Sequence, residues 1–160
     1  MSDIIVTSDS TCDLSPELIE SRGIRIMPLS VILGSQTFRD GIDIVPQDIF
    51  RYFDETQQLP KTAAPSVEDY TEFFRQFTDA GKTVIHFNIS SKASGSYGFA
   101  KTASEQFGGK VFAVDSYALS TGQGLLVLKA CDLRDEGKSA QEIYDTVLSL
   151  RDKVNTSFIP

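Results

Sequence analysis

The sequence predicts an α/β fold: an open, mostly parallel sheet flanked by helices. Three observations carry that expectation. Short apolar runs alternate with helical patterns along the chain. The first run, Ile4-Ile5-Val6, is continuous rather than alternating, as burial of a strand on both faces requires. Several of the runs end in hydroxyl-rich loops, the place where ligands gather in an open α/β sheet.

The elements follow in order. Residues 3–8 read as a strand, and Asp9-Ser10-Thr11-Cys12-Asp13 as a polar loop. Ser15 then caps a helix that Pro16 opens, because proline's missing N–H is not needed at the first helical position; Gly23 ends it. Residues 24–33 read as one strand, Gly34-Ser35 as a tight turn, and residues 36–40 as a returning hairpin strand. Pro46 starts a helix running to Thr56 that places Ile49, Phe50 and Phe53 on one face. Residues 59–65, with two prolines, read as a loop. Ser66-Val67-Glu68-Asp69 resembles a capping box with Asp in place of Glu; its helix runs to Ala80 with Tyr70, Phe73, Phe74 and Phe77 inward, and stops at Gly81. Residues 83–89 form the next strand, and residues 90–96 lead into a helix that ends near Gln106. Residues 110–114 form a strand ending at Asp115-Ser116. Ser120 or Thr121 opens a long helix to Glu136, Gly137 breaks it, and Ser139 caps a last helix that ends near Val154. The tail, residues 155–160, reads as an unfinished strand, so the chain reads as part of something longer.

Composition narrows the function. A chain of 160 residues with 41% apolar and 23% charged residues suits one soluble globular domain and excludes a wholly disordered one. Fifteen basic against twenty-two acidic residues give a net charge of −7, the wrong sign for a nucleic-acid binder. Cys12 and Cys131 are too far apart for a metal-type spacing, and the single histidine, His86, weakens any proposal that needs a histidine cluster. No apolar run approaches the roughly 18 residues of a membrane span. The N-terminus has no basic stretch of the signal-peptide kind. A cytoplasmic protein without stable membrane insertion is expected.

The most informative candidate site is Ser94-Gly95-Ser96. A helix N-terminus presents unpaired N–H groups and partial positive charge. Gly95, lacking a Cβ, lets a ligand oxygen approach the backbone, and neighbouring hydroxyls can donate. Such a site suits a carboxylate or phosphate; plain N-capping by serine is the alternative. Thr62, in Lys61-Thr62-Ala63-Ala64-Pro65-Ser66, adds a hydroxyl near another helix start, and counts as site rather than ordinary loop only if the fold brings the two loops together. Asp9 raises a different possibility, a small phosphohydrolase or phosphate-binding protein, although Thr11 stands where an aspartyl-phosphate phosphatase wants its second Asp. Gly122-Gln123-Gly124 opens a helix but lacks the third glycine of a dinucleotide fingerprint, so a tight helix start explains it better. His86 sits in a strand pattern, as a packed histidine rather than a base. Nothing near Cys12 in sequence would depress its pKa.

Taken together, these segments resemble the DegV family of bacterial fatty-acid-binding proteins. The match is collinear along the whole chain. It runs through Asp9-Ser10-Thr11-Cys12-Asp13-Leu14, Pro28-Leu29, Phe38-Arg39-Asp40-Gly41, the Thr62 loop, residues 89–97, Val114-Asp115-Ser116, and Ser120-Thr121-Gly122-Gln123-Gly124. The resemblance implies one long-chain fatty acid bound in a buried tunnel, its carboxylate held by hydroxyls and presented to a separate fatty-acid kinase that makes the acyl-phosphate. The protein itself would be non-catalytic, with no cofactor or metal. The family's Thr-Ser-Gln-Pro-Ser threonine falls on Thr62 and the serine of its Ser-Gly-Thr motif on Ser94, followed by Gly95. Ala63 and Ala64 replace the usual Ser and Gln, Ser96 replaces Thr, and Ala93 replaces a bulkier apolar residue. Family members are longer, so residues 1–160 correspond to the N-terminal α/β domain, with the C-terminal domain absent.

Overall fold

The computed structural model describes residues 3–157. Four parallel strands form the main sheet: β1 (Ile4–Asp9), β2 (Arg25–Met27), β6 (Thr83–Asn88) and β7 (Val111–Asp115), in the order β2-β1-β6-β7. The register places Val6 beside Ile85, and His86 beside Ala113. A second, antiparallel sheet of β3 (Ser30–Leu33), β4 (Gln36–Arg39) and β5 (Lys61–Ala63) has the order β4-β3-β5.

Among the described residues six α-helices complete the fold: α1 (Pro16–Ser21), α2 (Pro46–Thr56), α3 (Val67–Thr78), α4 (Ser96–Ser104), α5 (Thr121–Asp135) and α6 (Ala140–Arg151). The strand pleat divides them between two faces. Val6, Ile85, Phe87 and Val114 pack with Leu126, Val127, Ala130 and Ile143 under α5 and α6, with Ile19 of α1 at the margin. Val84 and Val111 point the other way, against Tyr70 and Phe74 of α3 and Ala100 and Ala103 of α4. Burial on both sides explains the continuous apolarity of β1.

Most starts and stops follow the local chemistry. The Ser15 Oγ accepts the Leu18 N–H at 3.3 Å. Ser66 and Asp69 close a reciprocal capping box, with bonds of 3.1 and 2.8 Å, and Ser139 and Glu142 close another. Two expectations are corrected. Residues 24–33 are not one strand: β2 ends at Met27 and β3 begins at Ser30 in a different sheet. Pro28 stands between them, and a proline has no N–H to continue a ladder. Residues 61–63, expected in a loop, form β5, which pairs Thr62 with Val31. Its three residues are too short to display a period. Residues 155–157 are not in a strand, and the remainder of that expected strand, 158–160, lies outside the described residues.

The topology selects one end of the main sheet. The chain leaves β1 through α1 to β2 on one side, and β6 lies on the other side of β1. The strand order therefore reverses between β1 and β6, where open α/β sheets form a crevice at their carboxyl ends. Short turns join α3 to β6, and α4 and α5 follow the ends of β6 and β7. All three helices thus begin at that carboxyl edge.

Candidate functional site

Asp9 ends β1 at the reversal point. It is fully buried, and four donors meet its two oxygens. Thr11 Oγ1 and Gln123 Nε2 donate to Oδ1, each at 2.6 Å. The Ile89 N–H and Asn88 Nδ2 donate to Oδ2 at 2.8 and 3.4 Å. A carboxylate accepts about four such bonds, so none of its capacity is left for a substrate. Burial pushes the Asp9 carboxyl above its ordinary value of 3.8, against the pull of those donors. Asp9 fastens β1 to β6 and α5; it offers no exposed oxygen to attack a phosphate, which removes the geometric support for a phosphohydrolase.

Gln123 is the second knot. Its Nε2 also donates to Ser8 Oγ at 2.9 Å. Its neighbours are glycines for a packing reason. A Cβ on Gly124 would stand 2.7 Å from the Cys12 carbonyl oxygen, and one on Gly122 would overlap the Thr156 side chain. The Gly122-Gln123-Gly124 segment is a tight helix start, as its incomplete fingerprint indicated. Cys12 and Cys131 are free and buried, and burial raises both thiols, that of Cys131 to about 11.

A second polar path leads from Asp9 through Asn88 to α3, and a separate pair of hydroxyls stands at the start of α4. Asn88 Nδ2 donates to the Tyr70 phenol oxygen at 2.9 Å. Burial holds that phenol well above its ordinary pKa. Ser96 Oγ lies 2.8 Å from Ser94 Oγ, which also accepts the Ser96 N–H at 3.2 Å. Tyr70, Asn88 and Ser96 are fully buried, whereas Ser94 is half-buried and Gly95 exposed.

Thr62 belongs to the second sheet. It lies in β5, four residues before the Ser66 cap of α3. Its side chain is exposed and makes no hydrogen bond to Ser94 or to any other described residue. Ser94 thus stands in the turn before α4, whereas Thr62 lies within β5 of the smaller sheet, upstream of α3. At Gly95 a Cβ would meet only the Phe99 ring, at 3.5 Å, an ordinary contact. Packing does not require glycine there; approach of a ligand to the backbone would. The first turn of α4 carries no acidic side chain, as suits an anion.

Sequence reasoning placed Tyr70 in the core and His86 in a strand, but it missed the part played by Asn88, Ser96 and Gln123. One signal was available for Asn88: a polar residue in the apolar run Val84-Ile85-His86-Phe87-Asn88-Ile89 requires a partner when buried. Among the described residues no three His, Cys, Asp or Glu side chains are placed to hold a metal ion, and no helix is long and apolar enough to cross a membrane. Two cavities of 640 and 570 Å³ lie elsewhere, one along α3 beside Val67 and Arg75, the other between α1 and the loop before α2, beside Leu14 and Ile42.

Comparison with known proteins identifies the frame. The model of the DegV family, described as an uncharacterised protein family, matches residues 3–160. A DegV domain-containing protein of Clostridium acetobutylicum is 34% identical over 149 residues, 92% of this chain and 53% of the relative. A DegV domain-containing protein of Deinococcus radiodurans is 31% identical over 90% of this chain and 51% of its own length. Among solved structures, a fatty-acid-binding DegV family protein from Thermus thermophilus superposes with a TM-score of 0.86 at 36% identity, over 95% of this chain and 54% of that one. A stearic-acid-binding protein from Eubacterium ventriosum gives 0.81 at 33% identity, over 92% and 52%. The chain thus spans about half the length of the relatives it matches. The match along residues 3–160, carried by the same four-stranded parallel sheet and its flanking helices, means that this chain belongs to the DegV family.

Proposed function

We propose that residues 1–160 are the N-terminal α/β domain of a cytoplasmic fatty-acid carrier. Thr62, Ser94 and the Gly95 amide hold the carboxylate of a long-chain fatty acid, and a further domain completes the tunnel around the tail. The carrier presents that carboxylate to a separate fatty-acid kinase, which supplies nucleotide and metal for phosphorylation to the acyl-phosphate. The carrier itself does no chemistry. The observation that carries this reading is the likeness, over nearly the whole chain, to the Thermus thermophilus structure described as fatty-acid binding.

Physical magnitudes agree with the division of labour. Each buried methylene contributes about 0.8 kcal/mol, so a long tail supplies on the order of 10 kcal/mol before ordering costs. A hydrogen bond to a charged carboxylate adds about 1.5–3 kcal/mol. The tail provides affinity, and the hydroxyls with the α4 terminus fix where the head group sits.

Two measurements on the full-length protein test this. Mass spectrometry of the lipid extracted after purification should find a fatty acid in stoichiometric amount. With the kinase added, Thr62→Ala or Ser94→Ala should lower acyl-phosphate formation at least tenfold while leaving the melting temperature within a few degrees (about 1 kcal/mol). Normal phosphorylation by both variants overturns the head-group assignment.

A further inference from the structure

The inference here rests on the reading just given, that Ser94 holds the head group and that the head group leaves as an acyl-phosphate. We propose that Lys92, Arg151 and the Tyr117 ring form a phosphoryl subsite beside Ser94, a cationic seat for the dianion that the head group becomes on phosphorylation.

In a chain with a net charge of −7, two cations without an acidic partner converge on one ring. The Arg151 guanidinium carbon lies 3.9 Å from the centroid of Tyr117, and the Lys92 ammonium 5.8 Å. Both fall within the reach of cation–π attraction, about 6 Å. Neither forms an ion pair among the described residues, whereas Arg22, Arg39 and Arg134 do. Arg151 gives Nη1 to the Asp115 carbonyl at 3.2 Å. Its Nε is buried and has no partner. A guanidinium has five donors, and a buried donor left open calls for an acceptor.

The fold holds this cluster next to Ser94. Asp115 Oδ1 accepts the Ser91 N–H at 3.0 Å and the Tyr117 N–H at 3.2 Å. The Ser90 N–H bonds to the Ala118 carbonyl at 2.9 Å, and the Ser90 carbonyl accepts the Ser94 N–H at 3.1 Å. One short turn, residues 90–94, thus carries both the Lys92 cation and the Ser94 hydroxyl, and two bonds tie it to the loop that carries Tyr117. That loop is fixed in turn: Ser116 Oγ donates to the Ala118 carbonyl at 3.0 Å and accepts the Ala118 N–H at 3.2 Å. The Tyr117 ring is 47% exposed on a left-handed backbone, φ 54°, a conformation that bulky residues rarely take and that persists only where neighbouring bonds impose it. The acid of this cluster, Asp115, is buried and turned toward two backbone N–H groups, so two cations stand against one carboxylate.

Charge decides which ligand such a cluster suits. A fatty-acid carboxylate carries one negative charge, which neutral hydroxyls and an amide can hold. A phosphorylated head group carries about two, placed one group further from the tail. Arginine meets phosphate oxygens with a planar fork, and lysine meets them as a point charge on a flexible stem. Lys92 is exposed and free to move from the ring to such an oxygen. Arg151 also ends α6, where a cation answers the helix dipole; that role alone would not distinguish one ligand from another.

Calorimetric titration of the full-length protein with oleate and with oleyl phosphate, a stable monoester of the same tail length, tests this. Lys92→Gln and Arg151→Gln should each weaken oleyl phosphate about tenfold, the equivalent of one charged hydrogen bond, and leave oleate within about twofold. Added salt should weaken oleyl phosphate more in the parent than in the double variant. Equal loss for both ligands, no loss for either, or a parent that takes oleate but not oleyl phosphate overturns the subsite and leaves the carrier reading standing. A parent that takes neither ligand overturns the carrier reading, and this inference with it. Should Arg151→Gln fail to fold, Lys92→Gln, on an exposed side chain, decides alone.

Discussion

His86 spends its position in β6 entirely inside the fold. Its ring meets Tyr70, Phe73 and Phe74 edge-on, at centroid distances of 5.4, 6.0 and 5.2 Å. Nδ1 lies 2.8 Å from Thr7 Oγ1, and Nε2 has no partner. Burial alone pushes its pKa from 6.5 down to about 3. The native state therefore keeps His86 neutral, while the unfolded chain takes up a proton near pH 6.5. Stability from this residue is complete above pH 6.5 and is lost as pH falls from there toward 3. Asp9 acts in the opposite sense: its raised pKa makes the native state hold a proton longer, so its contribution declines as pH rises above the ordinary value of 3.8. Comparing a variant with its parent separates the two. His86→Leu should flatten the slope of unfolding free energy between pH 6.5 and 5 in urea titrations, by on the order of 2 kcal/mol at about 1.4 kcal/mol per pKa unit. Parallel slopes for the two proteins would show that His86 is not the titrating group.

At the scale of elements, two helical glycines make a contrast. Gly124 in α5 sits against the one-turn helix that follows β1, where a Cβ would stand 2.7 Å from the Cys12 carbonyl oxygen and 3.0 Å from Leu14. Gly98 in α4 has nothing within 4 Å of an added Cβ. Gly124→Ala should lower stability by about 1–3 kcal/mol, because backbone must move. Gly98→Ala should raise it by about 0.5–1 kcal/mol, through a smaller loss of backbone entropy on folding. Thermal melts of the pair check both signs, and equal effects would refute the packing account. Helix starts at Pro16, Pro46, Ser66 and Ser139 were legible because a cap acts within three or four residues. The break at Pro28 and the strand at Lys61–Ala63 were hidden. The first interrupts an apolar run that reads as continuous, and the second exists because Val31 of β3 lies beside Thr62.

For the whole molecule, the proposed ligand makes a prediction of its own. A ligand that binds only the native state stabilises it in proportion to the logarithm of its concentration. At a free concentration 100 times Kd, oleate should stabilise the full-length protein by about 2.7 kcal/mol, a rise of a few degrees in Tm. A short-chain carboxylate such as acetate at the same concentration should do nothing measurable, since it lacks the buried tail. Equal shifts from both would mean that the head group, not the chain, drives binding. The sequence by itself determined the α/β class, most element boundaries, and the Ser94 turn before α4. Those signals are local: periodicity, caps and prolines act over a few residues. Only the tertiary structure decided that Asp9 is a buried structural knot rather than a nucleophile. It also decided that Gln123 and Asn88 hold Asp9, and that Asn88 joins this knot to the Tyr70 phenol of α3. The bonds to Asp9 from Ile89 and Gln123 span 80 and 114 residues of sequence. No local pattern encodes contacts that exist only once the sheet has brought β1, β6 and the start of α5 to one edge.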